Sequence, residues 1–232
     1  MRDPTPILEL VGVLPHKRAN RLPATLFDLR VGPGECVVIE ARDRALASEF
    51  ADLCCGLGGS HGGRVCFLGR DWAGASNEYV AAMRGRIGRT YGPSGWIEFY
   101  GTDVNILASQ LHHTRRPVHE LREAAAALAQ HFGLPGLPLA RPGVLPASDL
   151  VRADCVRAFL GEPRLVIVDG SEVEQIADLR LALLSALTAV QSRRSAAIWL
   201  TGSDEIWRDR TLPTTKRLHL TDRGLAPSRE RS

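Results

Sequence analysis

The chain has 232 residues, of which 44% are hydrophobic and 24% charged. That suits one globular α/β domain with a full core, although length alone also allows two smaller ones. A formal net charge of +3, with basic residues scattered and not striped along one face, excludes a nucleic-acid partner argued from charge. The cysteines Cys36, Cys54, Cys55, Cys66 and Cys155 are odd in number, lack metal-ligand spacing and sit mostly in apolar contexts. They read as buried free thiols of a reducing compartment. No apolar run is long enough to span a bilayer, and the opening Met-Arg-Asp-Pro-Thr-Pro is not a signal peptide. The expectation is a soluble, cytosolic protein.

In chain order, residues 7–13 alternate as a strand and 24–31 give a second. Gly32-Pro33-Gly34-Glu35 then turns into the apolar strand 36–40. The segment Ala41-Arg42-Asp43-Arg44-Ala45-Leu46-Ala47-Ser48 comes next and runs on to Leu53-Cys54-Cys55-Gly56-Leu57. Here Ser48 reads as a solvated serine in the first turn of a helix, and Arg42 and Arg44 as solvated arginines. Residues 62–71 make a turn, a strand and a further turn. Residues 83–89 lead into Thr90-Tyr91-Gly92-Pro93-Ser94-Gly95-Trp96-Ile97, and Phe99 and Tyr100 extend an exposed-looking aromatic run. Helices are expected over 103–111 and 118–132 from apolar spacing and Ala/Leu/Glu content, the second ending at Gly133 before a proline-rich loop to Pro146. His112, His113 and His119 lack a cysteine or carboxylate at ligand spacing, so no metal is expected. A helix ending Arg157-Ala158-Phe159-Leu160 and the turn Gly161-Glu162-Pro163 deliver the chain into Leu165-Val166-Ile167-Val168. This run is apolar on both faces, like a central strand of a parallel sheet. Asp169 stands at its carboxyl end, where open α/β sheets bind ligands; taken alone it reads as a turn cap or as a magnesium holder. A helix over 176–191, a buried strand over 196–201, a closing hairpin from 216 to 225 and a frayed tail from 227 complete the chain.

The ungapped frame from Leu145 to Asp169, with its Ala-rich helix and short proline turn before the strand, resembles the ATP-binding subunit of ABC transporters. In that family a signature motif opens the helix and an aspartate ends the Walker B strand. The Pro33-Gly34-Glu35 turn and the 53–57 helix end match the surroundings of the family's Walker A loop, again without insertion. The resemblance covers about residues 7–225 by order of elements and is strong residue by residue at 34–57 and 145–169. It implies an α/β fold of the P-loop NTPase type: a mainly parallel sheet flanked by helices, an antiparallel N-terminal β subdomain and an inserted helical subdomain. The implied organisation is a single domain over 1–232, with a core at about 7–92 and 162–225, the helical subdomain at about 93–161 and a tail at 226–232.

The same resemblance implies that the chemistry is altered. Ala41, Arg44 and Leu46 take glycine positions of the phosphate loop, Ala47 the lysine position and Ser48 that of the magnesium-binding hydroxyl. Side chains there crowd the space a phosphate fills, because a phosphate nest needs glycine for close approach and positive φ. Gly92 stands for the Q-loop glutamine, Leu145-Pro146-Ala147-Ser148-Asp149 for the signature, Gly170 for the catalytic glutamate and Gly202 for the switch histidine. Ser171-Glu172-Val173-Glu174-Gln175 does not match the D-loop. Asp169 and Ser48 are too few to hold magnesium and a triphosphate. The expectation is an ABC-type subunit without ATP hydrolysis, with no cofactor or metal of its own; ATP and magnesium belong to a competent partner. Implied partners are a membrane permease docked at Trp96, Ile97, Phe99 and Tyr100, and an intact ATPase subunit or a second copy. The implied location is the cytoplasmic face of the membrane. Packing of the helical subdomain is the other reading of the aromatic run. Other readings of the whole are a free-standing regulatory scaffold and an ATPase with residual nucleotide binding through an unusual loop.

Overall fold

The structure, a computed structural model, describes residues 4–16 and 21–227. In chain order its elements are β1 (Leu8–Pro15), β2 (Phe27–Val31), β3 (Cys36–Glu40), α1 (Arg44–Cys54), β4 (Ser60–Phe67), β5 (Arg70–Asp71), α2 (Asn77–Arg84), β6 (Ile87–Arg89), α3 (Thr102–His113), α4 (Val118–His131), α5 (Ala147–Phe159), β7 (Leu165–Asp169), α6 (Gly170–Val173), α7 (Leu179–Ser192), β8 (Ala196–Thr201), α8 (Asp204–Arg208), β9 (Lys216–Thr221) and β10 (Gly224–Pro227).

They form two sheets. An antiparallel sheet runs β2-β1-β4-β5, and a six-stranded sheet runs β10-β9-β3-β8-β7-β6, parallel except for the edge strand β10. Strands β3 and β8 are buried along their whole length, as strands covered on both faces must be. Their residues part by the two-residue period of a strand. Val38, Val166, Val168, Ala197 and Trp199 face a core shared with α3, α4, α5 and α7. Val37, Ile39, Ile167, Ile198 and Leu200 face α1 and the antiparallel sheet. Helices α3, α4 and α5 lie between β6 and β7 in sequence. Among the described residues, no helix is long and apolar enough to cross a membrane.

The expected strands and long helices are present, with differences at their ends. The helix expected from 176 opens at Leu179, because the chain first turns through 176–178. The tail expected from 226 starts later: Ala226 and Pro227 pair with His219 and Leu218 in β10. The rest of that tail, 228–232, and Met1-Arg2-Asp3 lie outside the described residues.

Candidate functional site at the carboxyl ends of the strands

Strands β3, β7 and β8 all point their carboxyl ends at the loops 41–43, 169–170 and 201–203, so the segments singled out in sequence converge there. The segment 41–48 is not an open loop. Asp43 caps α1, its Oδ1 accepting from the amides of Ala45 at 2.8 Å and Leu46 at 3.2 Å. Asp is among the best capping residues, and Arg44, Ala45 and Leu46 have helical propensity where glycines do not, so the helix opens at Arg44, nearly a turn before Ala47. The added turn sets the phase of residues 46–48. Leu46 and Ala47 face the core, and any side chain at 47 points inward. Ser48, expected in the first turn and solvated, instead lies in the second turn and is held from below. Its Oγ accepts from Arg89 Nη2 at 2.9 Å, and Arg89 also pairs with Asp52 at 2.5 Å.

Both arginines of the segment are exposed, and each is also ion-paired. Arg42 is paired with Glu40 at 3.2 Å and Asp204 at 3.5 Å. Arg44 reaches across to Glu172 of α6 at 3.0 Å. Its guanidinium fills the space beside Gly92, where an added Cβ would lie 2.6 Å from Arg44 Nη2 and where φ is +65°. Only a small cavity of about 60 Å³ remains between Arg44, Gly92, Asp169, Glu172 and the first turn of α5. That is room for a few waters.

Asp169 ends β7 as expected, its amide donating to Thr90 Oγ1 at 2.7 Å, and lines this cavity. Gly170 is next, at the start of α6, packed on all sides. An added Cβ would lie 2.1 Å from Glu174 Oε1, 2.5 Å from Trp199 Nε1 and 2.7 Å from the carbonyl of Leu200. The Glu174 carboxylate occupies that space and accepts from Trp199 Nε1 at 3.0 Å. Burial pushes the Glu174 carboxyl above the ordinary glutamate value, against the lowering effect of its bonds to Thr201 and Trp199. Gly202 differs, since a Cβ there would meet only Ala41 O at 3.6 Å. It leads into Ser203, which caps α8.

Pro146 stands at the N-cap of α5, so Ala147, Ser148 and Asp149 form its first turn, the first two exposed and Asp149 half-buried, with Leu145 just ahead. Asp149 is thereby favourably placed near the positive end of the helix. Further along α5 lies Asp154, a buried carboxylate at the site that no sequence motif marks. Fully buried, its carboxylate accepts from the amides of Tyr91 and Gly92 at 2.8 Å each and from Arg157 Nη2 at 2.5 Å. Arg157 donates to the carbonyl of Gly95 and lies over the rings of Tyr91 at 5.1 Å and Trp96 at 4.4 Å. The turn 92–95 is thus tied to α5 at both ends. The one trace of this in sequence is an Asp on an apolar helical face with Arg three residues later.

No family model matches the chain. Over 172 residues it is 29% identical to the macrolide export ATP-binding/permease protein MacB of Sodalis glossinidius (strain morsitans), a stretch covering 71% of this chain and 26% of that relative. The fold superimposes on the bacterial ABC transporter cassette MJ0796, solved as a dimer, with a TM-score of 0.78 at 14% identity, covering 96% of this chain and 99% of that one. The chain has the fold of an ABC-transporter ATP-binding cassette. A second cassette, cbiO1 from Clostridium perfringens, part of the ABC transporter complex cbiONQ, gives a TM-score of 0.73 at 14% identity over 96% of this chain and 87% of that one.

The aromatic run of the chain divides. Trp96 is 9% exposed and belongs to the core beneath Arg157, so it does not serve as a docking residue. Ile97, Phe99 and Tyr100 are 43%, 68% and 47% exposed. The bond from Thr102 N to Ala140 O at 2.9 Å brings exposed Leu139 to the same edge. All five cysteines are free, and all but the half-buried Cys66 are buried. Among the described residues, no cluster of His, Cys, Asp or Glu could hold a metal.

Proposed function

We propose that this chain is a non-hydrolysing ABC-cassette subunit of a transporter complex, held at the cytoplasmic face of a membrane by a permease. The observation that carries the reading is Asp43, whose carboxylate takes the Ala45 and Leu46 amides. An incoming phosphate needs those amides and meets a like charge in their place. The other features agree with it. Residue 47 has no ammonium and faces the core, the Arg44–Glu172 pair fills the site, and Gly170 leaves no general base beside Asp169. A triphosphate with magnesium does not fit these residues. Losing one preorganised donor typically costs a hundred- to a thousand-fold in rate, and losses within one site seldom recover.

ATP and magnesium, in this reading, are handled by a competent partner cassette. The partners are that cassette or a second copy of this chain, and a permease seated on Ile97, Phe99, Tyr100 and Leu139. An exposed apolar cluster of this kind marks an interaction surface. Two measurements test the proposal. Phosphate release from ATP by the purified chain is expected to stay at background. Capture of a permease from detergent-solubilised membranes is expected with the parent chain and lost with Phe99→Ser/Tyr100→Ser. Turnover by the isolated chain, or capture indifferent to the double substitution, would contradict it.

A further inference from the structure

On the opposite side of the molecule, at the amino ends of the strands, α4 and α7 flank a trough of about 580 Å³. That volume is within the usual range of small-molecule sites. Its floor is Phe159 and Leu160, 6% and 2% exposed, and its walls include Leu128, Ala186 and Ala189. Small side chains on α7 keep the trough open where larger ones would close it.

The trough has a direction. His131, at the end of α4, donates through Nε2 to the carbonyl of Ala182 in α7 at 2.9 Å, closing one end. Arg116 stands fifteen residues ahead of His131 and Arg193 eleven beyond Ala182, so both arginines line the trough away from that closed end. Among the described residues, neither guanidinium makes an ion pair. Glu162 shares that rim, leaving two cationic groups against one anionic group.

We propose that this trough binds a single-chain amphiphilic carboxylate of the fatty-acid type from solution, its chain over Phe159 and Leu160 and its head group at Arg116 and Arg193. The apolar floor recognises the chain and the guanidinium pair a planar carboxylate, which arginine matches better than any other side chain.

Calorimetric titration of the full chain with sodium octanoate, decanoate and dodecanoate, each below its micelle concentration, tests this. One-to-one saturable binding is expected, tightening about fourfold per methylene from the usual gain on burying a CH₂. Decylammonium should bind at least about tenfold more weakly than decanoate. The surface pair Arg116→Gln/Arg193→Gln should lose about tenfold for decanoate with its circular dichroism and melting temperature unchanged, and Ala189→Phe should abolish binding. Non-saturating heats, equal affinity for the two head groups, or decanoate binding untouched by the arginine pair would overturn the assignment. So would a self-association, seen by sedimentation, that Ala189→Phe removes, because a second copy would then cover the trough.

Discussion

Replacing Gly170 by alanine tests how tightly the end of β7 is packed. The new Cβ would sit 2.1 Å from Glu174 Oε1, 2.5 Å from Trp199 Nε1 and 2.7 Å from Leu200 O. The first contact is the tip of a side chain that can swing away, but the other two belong to the buried strand β8 and cannot. If Glu174 moves, the buried indole N–H of Trp199 loses its acceptor, at about 1–3 kcal/mol. If it stays, overpacking costs about 1–3 kcal/mol. Better helix propensity at the start of α6 returns less than about 1 kcal/mol. The net expectation is a loss of about 1–2 kcal/mol, or about 2–8 °C in melting temperature for a domain of this size. Urea denaturation with an unchanged m-value measures it, and the double variant Gly170→Ala/Glu174→Ala should cost less than the sum of the two single changes. A stability within about 0.5 kcal/mol of the parent would refute the packing argument. Gly170→Glu carries the same penalty, so restoring the glutamate that the family resemblance calls for should destabilise the chain and yield no turnover.

Burial raises the Glu174 carboxyl above its ordinary value, so its contribution favours folding at low pH and is lost as pH rises past that value; Glu174→Gln should match the parent near pH 4 and exceed it near pH 7 in denaturant stability. Burial also pushes the thiols of Cys36 and Cys55 up to about 12 and about 11, so at pH 8 a thiol reagent should label Cys66 in the native chain and the other four only after denaturation, whereas native labelling of Cys55 would contradict the buried placement. Gly92→Gln puts a side chain at a φ of +65° and displaces the Arg44 guanidinium, whose ion pair is partly exposed; a loss of about 1–2 kcal/mol is expected, nearly all from the backbone, and Gly92→Ala should lose as much.

Much of this fold is legible in the sequence because its signals are local. Runs such as Leu165-Val166-Ile167-Val168 and Ala196–Thr201 are apolar on both faces and bounded by turns, and such runs have few alternatives to central strands. The site is legible in position but not in conformation. Placing Ala47 and Ser48 at a helix start rests on the family's loop. The capping strength of Asp43, visible in the sequence, instead starts the helix nearly a turn early and turns residue 47 inward. Asp154 has no local signature because its amide partners, Tyr91 and Gly92, belong to a distant stretch of chain, a pairing only tertiary structure makes. Trp96 stands in a glycine-rich, polar stretch that suggests exposure, yet Arg157 of α5 covers its ring, a contact that likewise exists only in the folded chain.

The central claim is that the chain's own carboxylate and arginine occupy the nucleotide site, and calorimetric titration of the purified chain with magnesium-ATP measures this most directly. No saturable heat is expected up to millimolar nucleotide, and no change in melting temperature. A ligand at a hundred times its dissociation constant would stabilise by about 2.7 kcal/mol, or about 5–11 °C here. One-site binding with such a shift, indifferent to Asp43→Ala, would contradict the claim.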